Sequence, residues 1–146
     1  LNQASVEIAV AERTQQVNEF AKQRAKTEAA TRYAEQVEKL GYDPKTTDPR
    51  DIAKAMMLKV YEWGADEFTC VDKIWTQESN WQWNAENPTS GAYGIPQSLP
   101  ASKLATAGDD WKTNPATQIK WGLKYIKDRY GTPCSAWGFK AGHGWY

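Results

Sequence analysis

A chain of 146 residues has room for one compact domain of ordinary size, or for a smaller domain carrying an extended helix, and little room for two domains with full cores. Its 18 acidic and 18 basic residues cancel, and they cancel again on either side of residue 45, with 7 of each up to that point and 11 of each beyond, so nucleic-acid binding has no electrostatic footprint. No apolar run approaches the roughly 18 residues that a membrane span requires, and the N-terminus has neither an initiator Met nor a basic-plus-apolar signal, so the chain reads as a mature or excised fragment.

Residues 1–40 lack Pro and Gly and are rich in Ala, Glu, Gln, Lys and Arg, with Gly41 placed as a helix C-cap. They predict one long helix, or two with a soft break. Val17, Ala21, Ala25, Ala29, Tyr33 and Val37 step by four, so the apolar stripe drifts by about 40° per step around a 3.6-residue turn. Arg13, Arg24 and Thr27 also break the heptads, which favours a tether or the remnant of a longer coiled coil, with a helix-mediated partner or self-association through 1–40. The expected division is therefore 1–45, helical and coiled-coil-like, and 46–146, a globular domain.

Asp48-Pro49-Arg50-Asp51 combines an N-cap, a proline at the first helical position and an acid in the first turn, predicting a helix over roughly 49–63 closed by Gly64. A second helix is expected over 66–79. From Asn80 to Ser98 the composition turns to Asn, Pro, Ser, Gly and Tyr, which predicts a loop or short hairpin with turns at Asn87-Pro88 and Ser90-Gly91. Pro100 to Ala107 reads as a short helix ended by Gly108. Asn114-Pro115 opens another, with Ile119, Leu123, Ile126 and Tyr130 inward and a stop at Gly131. A turn around Ser135 to Lys140 leads to His143-Gly144-Trp145-Tyr146. Strand signals are few, so the fold class is mainly α.

All eight tryptophans follow residue 60. Tryptophan fills cores and also offers flat platforms for sugars or bases, and the neutral charge favours sugars. The two cysteines, Cys70 and Cys134, suggest one disulfide closing a loop of about 65 residues, rated at roughly 4 kcal/mol by chain entropy, and with it an oxidising, extracytoplasmic compartment. The alternative is a pair of buried reduced thiols. With no CxxC pair and a single histidine, His143, neither a metal site nor a thiol nucleophile is supported.

Glu78 ends the stripe Phe68, Val71, Ile74 and Trp75 and runs into Ser79-Asn80-Trp81-Gln82-Trp83-Asn84. Glycosidic cleavage needs a carboxylic acid kept protonated near neutral pH and a groove for sugars. Apolar surroundings from Trp75, Trp81 and Trp83 disfavour a carboxylate, which is the direction a general acid requires. The alternative for Glu78 is a solvated helix end. Downstream, Ser90-Gly91-Ala92-Tyr93-Gly94-Ile95-Pro96-Gln97 offers glycines for close backbone approach, with Tyr93 and Gln97 for stacking and amide hydrogen bonds.

Glu78-Ser79-Asn80-Trp81 followed by Gly91-Ala92-Tyr93-Gly94-Ile95-Pro96-Gln97 is similar to the soluble lytic transglycosylase and goose-type lysozyme family. With Trp121-Gly122-Leu123-Lys124-Tyr125-Ile126 and His143-Gly144-Trp145-Tyr146, the run from about 51 to 146 resembles the secreted actinobacterial version of that domain. The resemblance implies a lysozyme-like α fold whose loop lines a groove, action on the peptidoglycan bond between N-acetylmuramic acid and N-acetylglucosamine, a secreted or cell-wall location, no cofactor, and Glu78 as catalytic acid. It further implies that Ser79 bonds near the Glu78 carboxyl, that Tyr93, Gly94, Ile95 and Gln97 border the groove, and that Tyr125 matches the family's helix tyrosine. Trp83, Asn84 and Trp137 complete the candidate substrate-binding set. Ala136-Trp137-Gly138 stands roughly where the family has Ala-Tyr-Asn, which leaves the role of that tyrosine open.

An inverting hydrolase needs a second carboxylate to activate water. Glu86, Asp109 and Asp110 are the acids between Glu78 and Asp128, and they read as loop and cap residues. The expected chemistry is therefore transglycosylation by Glu78 alone, with a lysozyme-type hydrolase and an inert glycan-binding module as alternatives.

Overall fold

The computed structural model describes residues 2–146. The protein is mainly helical, with a long N-terminal helix, and contacts divide it into two compact units between Lys39 and Leu40. α1 spans Gln3–Leu40 without a break and buries none of its residues. Val10, Val17 and Phe20 stand 60%, 59% and 69% exposed. Local i, i+4 pairs such as Arg24 with Glu28 support it, each contributing only a few tenths of a kcal/mol.

In the second unit, α2 spans Pro49–Tyr61, with the Asp48 carboxylate accepting from the Arg50 N–H at 2.9 Å and Pro49 at the first position. It ends earlier than Gly64 because Glu62 takes the left-handed conformation (φ 59°), and Gly64 caps the start of α3 instead. α3, Ala65–Ser79, stops at Asn80 (φ 51°). The following loop is drawn together by single antiparallel bridges, Glu86 with Tyr93 and Tyr93 with Ser98. A 3-10 helix covers Ala101–Thr106. α4, Pro115–Tyr130, starts on the Asn114 side chain and stops at Gly131 (φ 84°).

The segment expected to be a turn around Ser135–Lys140 is a full helix, α5, Pro133–His143. Thr132 caps it, and Glu67 of α3 accepts the Cys134 N–H at 2.9 Å, satisfying another orphan donor of its first turn. Gly138 and Gly142 lower intrinsic helix propensity. Burial of Pro133, Ala136 and Lys140 and covalent attachment to α3 override them.

The core joins Ile52, Met56 and Met57 of α2, Val71, Ile74 and Trp75 of α3, and Ile119, Leu123 and Ile126 of α4. α3 packs chiefly on α5 and α2 chiefly on α4. Gly122 is what lets α4 approach: a Cβ there would stand 2.6 Å from Trp75 Cζ2 and 3.1 Å from Pro96 Cβ. Contacts between α3 and α5 rise together along both helices, from Glu67 and Cys70 with Cys134, through Lys73 over Trp137, to Glu78 with Lys140, so the two run in the same direction.

Candidate active site

The polar end of the α3–α5 interface holds Glu78. Its carboxylate lies in the last turn of α3, 19% exposed, with Oε1 3.0 Å from Lys140 Nζ, which is itself 9% exposed. This differs from the apolar pocket expected for Glu78: the charge is buried as one half of an ion pair. Such a pair is the form in which buried charges are tolerated, because each ion offsets part of the other's desolvation. Glu78 is not a solvated helix end.

Behind the pair, Tyr146 links three elements. Its hydroxyl accepts from Trp75 Nε1 at 2.9 Å and donates to the Pro96 carbonyl at 2.8 Å. Burial holds the Tyr146 phenol neutral to well above its ordinary 10.0, and the negative Glu78 nearby adds to the effect. Trp75 is completely buried, so Tyr146 supplies the one partner its N–H needs.

Ser79, expected to bond near the Glu78 carboxyl, bonds backbone carbonyls. Its hydroxyl reaches the Ile95 carbonyl at 2.7 Å and the Trp75 carbonyl at 3.3 Å, fastening the end of α3 to the Tyr93–Gln97 loop. The loop residues also serve the scaffold. Ile95 is fully buried, its N–H donates to Gln118 Oε1 at 3.0 Å and its carbonyl accepts from Ser79. Gly94 (φ +80°) is buried against Gln118, where a Cβ would sit 2.7 Å from the amide oxygen. Gln97 (φ 56°) donates both amide hydrogens inward, to the Ala85 and Gly94 carbonyls at 3.0 and 2.9 Å. Tyr93 donates its hydroxyl to the Lys112 carbonyl at 2.6 Å and meets Trp111 edge-on.

Of the tryptophans expected around Glu78, Trp81 is core. It is 3% exposed, donates Nε1–H to Asp72 at 2.8 Å and packs edge-on against Trp75. Trp83 is open at 37%, beside exposed Asn84. Tyr125 lies on α4, stacked on Trp121 and edge-on to Tyr146, and with Thr106, Lys124, Asp128 and Arg129 these two rings line a cleft of about 390 Å³. Trp137 is partly buried on α5 under the Lys73 ammonium. Cys70 and Cys134 are bridged, with Cα atoms 5.0 Å apart.

Three residues that hold the site together were not among those expected. Gln118, fully buried, donates to the Trp83 and Trp111 carbonyls at 3.0 and 2.9 Å while accepting from Ile95, so one side chain ties three loop segments together. Lys140 and Tyr146 are the others. For Gln118 the signal is in the spacing, since Gln118, Gly122 and Ile126 share one helix face, and Lys140 shares a face with Pro133, Ala136 and Trp137 once α5 is known to be a helix. A polar residue on a buried stripe announces a partner.

The other acids are committed elsewhere or exposed. Asp110 accepts from Thr117 Oγ1 and Asn114 Nδ2 at 2.6 and 2.8 Å, which holds its carboxyl below the usual range. Asp72 takes Trp81, Thr76 and Arg50, while Glu86 and Asp109 are exposed. No cluster of three or more His, Cys, Asp or Glu side chains converges among the described residues, and no described helix is long and apolar enough to cross a membrane. Compared with known proteins, the chain matches no family model, and neither a curated protein nor a solved structure is significantly similar to it.

Proposed function

We propose that the unit beginning at Leu40 is a peptidoglycan lytic transglycosylase of lysozyme-like type, acting outside the cytoplasm. The observation that carries this reading is Glu78: a mostly buried carboxylate at the end of a rigid helix, anchored through Ser79 to the Tyr93–Gln97 loop, with the neighbouring acids engaged in structural hydrogen bonds or in solvent. The disulfide is compatible with an oxidising compartment.

In the proposed reaction Glu78 gives its proton to the glycosidic oxygen, the bond from that oxygen to C1 of the muramic residue breaks, and the leaving sugar departs as an alcohol. The Glu78 carboxylate then takes the proton of the muramic C6 hydroxyl. The O6 lone pair closes on C1, giving a 1,6-anhydro end and returning Glu78 to its acid form, with no water consumed. Tyr125 and exposed Trp83 offer faces on which sugars stack.

The test is release of soluble fragments from purified peptidoglycan. Wild-type protein is expected to release them and Glu78→Gln to lose the activity by about a thousandfold, within the range typical of general acid catalysis; an active Glu78→Gln protein would end the proposal. The ion pair with Lys140 favours one other reading, an inert glycan-binding module. That reading predicts binding to glycan strands without any fragment.

A further inference from the structure

A lysine with its ammonium 3.0 Å from the proposed acid is a feature the reaction above does not use. Lys140 is placed there by the fold. α5 is fastened to α3 at its first turn by Cys70–Cys134, and about 9 Å further along, one and two-thirds helical turns after Cys134, Lys140 projects from the same buried face as Ala136 and meets the end of α3. The flexible four-carbon stem is 9% exposed, and its packing leaves the ammonium facing Glu78.

Glu78 must hold two states in one cycle, neutral when it donates and charged when it withdraws the C6 hydroxyl proton. In both steps its carboxyl must point at the sugar, and a cation 3.0 Å away across the interface fixes where one of its oxygens lies. On α4, Lys120 and Lys127 are exposed, and the other charged and titratable groups around the pair have partners of their own. On α3, Asp72 serves Trp81 and Arg50, and Lys73 lies over Trp137. On α4, Arg129 donates to the Tyr130 hydroxyl, and the Tyr125 and Tyr130 phenols meet Tyr146. On α5, His143 is exposed and stacked on Phe139, its Nδ1 2.7 Å from the Phe139 carbonyl. Tyr146 bonds Trp75 and Pro96.

We propose that Lys140 is a positioning residue for Glu78: it fixes the direction of the carboxyl group across the α3–α5 interface. This inference rests on the catalytic reading of Glu78 for its purpose, and its test is independent of that reading. In the full-length protein at one fixed pH, the Glu78 carboxyl carbon is observed by ¹³C NMR, assigned by its absence in Glu78→Gln. Lys140→Met and Lys140→Gln are expected to move that resonance from its wild-type position, because the carboxyl loses its charged partner across the interface, while Lys140→Arg keeps it near wild type. In the fragment-release assay kcat falls about tenfold in the two neutral variants with KM nearly unchanged, and Lys140→Arg restores it. An unchanged resonance in Lys140→Gln, the variant that keeps a hydrogen-bonding side chain, would overturn the proposal. A shifted resonance in a protein that releases no fragment from peptidoglycan would support the role of Lys140 and remove the transglycosylase reading.

Discussion

The two ends of the α3–α5 interface solve the same packing problem with different chemistry. At one end Cys70 and Cys134 join the helices covalently, and Glu67 caps α5. At the other end the helices are held by Glu78 with Lys140 and by Tyr146 between Trp75 and Pro96, groups that can gain or lose protons. A disulfide acts mainly by restricting the unfolded chain and leaves the native site as it is. An ion pair acts only in the folded state, at a desolvation cost that packed apolar residues would avoid. The covalent end therefore carries stability, and the polar end is where the proposed chemistry would sit.

The largest effect that would break this contrast comes from Glu78→Gln. Fragment release from peptidoglycan should fall about a thousandfold while the melting curve moves far less than the loss of rate would suggest, since the amide keeps the shape and one hydrogen bond to Lys140. The mirror experiment is the double substitution Cys70→Ser with Cys134→Ser. Denaturant unfolding should show about 3 kcal/mol of lost stability, with specific activity retained at temperatures where the protein stays folded. If activity vanished in step with stability, the two ends would not be separable.

A smaller effect is expected midway, where Trp75 connects them. Gly122→Ala places a Cβ 2.6 Å from the Trp75 ring, which cannot retreat through the core, so unfolding should cost about 1–3 kcal/mol less than in the wild type. The smallest effect sharpens the polar end through pH. The folded state holds the Tyr146 proton more tightly than the unfolded chain, so its contribution is complete below the ordinary value of 10.0 and is lost as pH rises through the raised native value. Melting temperature followed from pH 9 upward should fall in the wild type. Tyr146→Phe should flatten that fall, at a loss near neutral pH of about 1 kcal/mol for the buried Trp75 N–H left without a partner.

Much of the helical plan was legible because its punctuation is local. Asp48-Pro49 and Asn114-Pro115 start α2 and α4 through side-chain caps, and Gly131 ends α4 with a positive φ. α5 was not legible, since its glycines argue against a helix and its support comes from α3, more than sixty residues away in sequence. Within the candidate site, Glu78 and the run Tyr93–Gln97 were legible as a juxtaposition, and Ser79 joins them by its bond to Ile95. Which way the loop side chains turn was not. Positive φ at Gly94 and Gln97 reverses the chain there, turning Ile95 into the core and the Gln97 amide onto loop carbonyls. Lys140 escaped notice for a related reason: a lysine near an exposed terminus is ordinarily solvated, and only the packing of α5 on α3 makes it a buried partner.

The central claim is that Glu78 completes the reaction by closing a ring within the sugar. Digestion of purified peptidoglycan in H₂¹⁸O, followed by mass spectrometry of the released fragments, tests it most directly. The account predicts 1,6-anhydromuramic ends carrying no ¹⁸O, whereas reducing muramic ends labelled with ¹⁸O would show that water, and not the C6 hydroxyl, attacks C1.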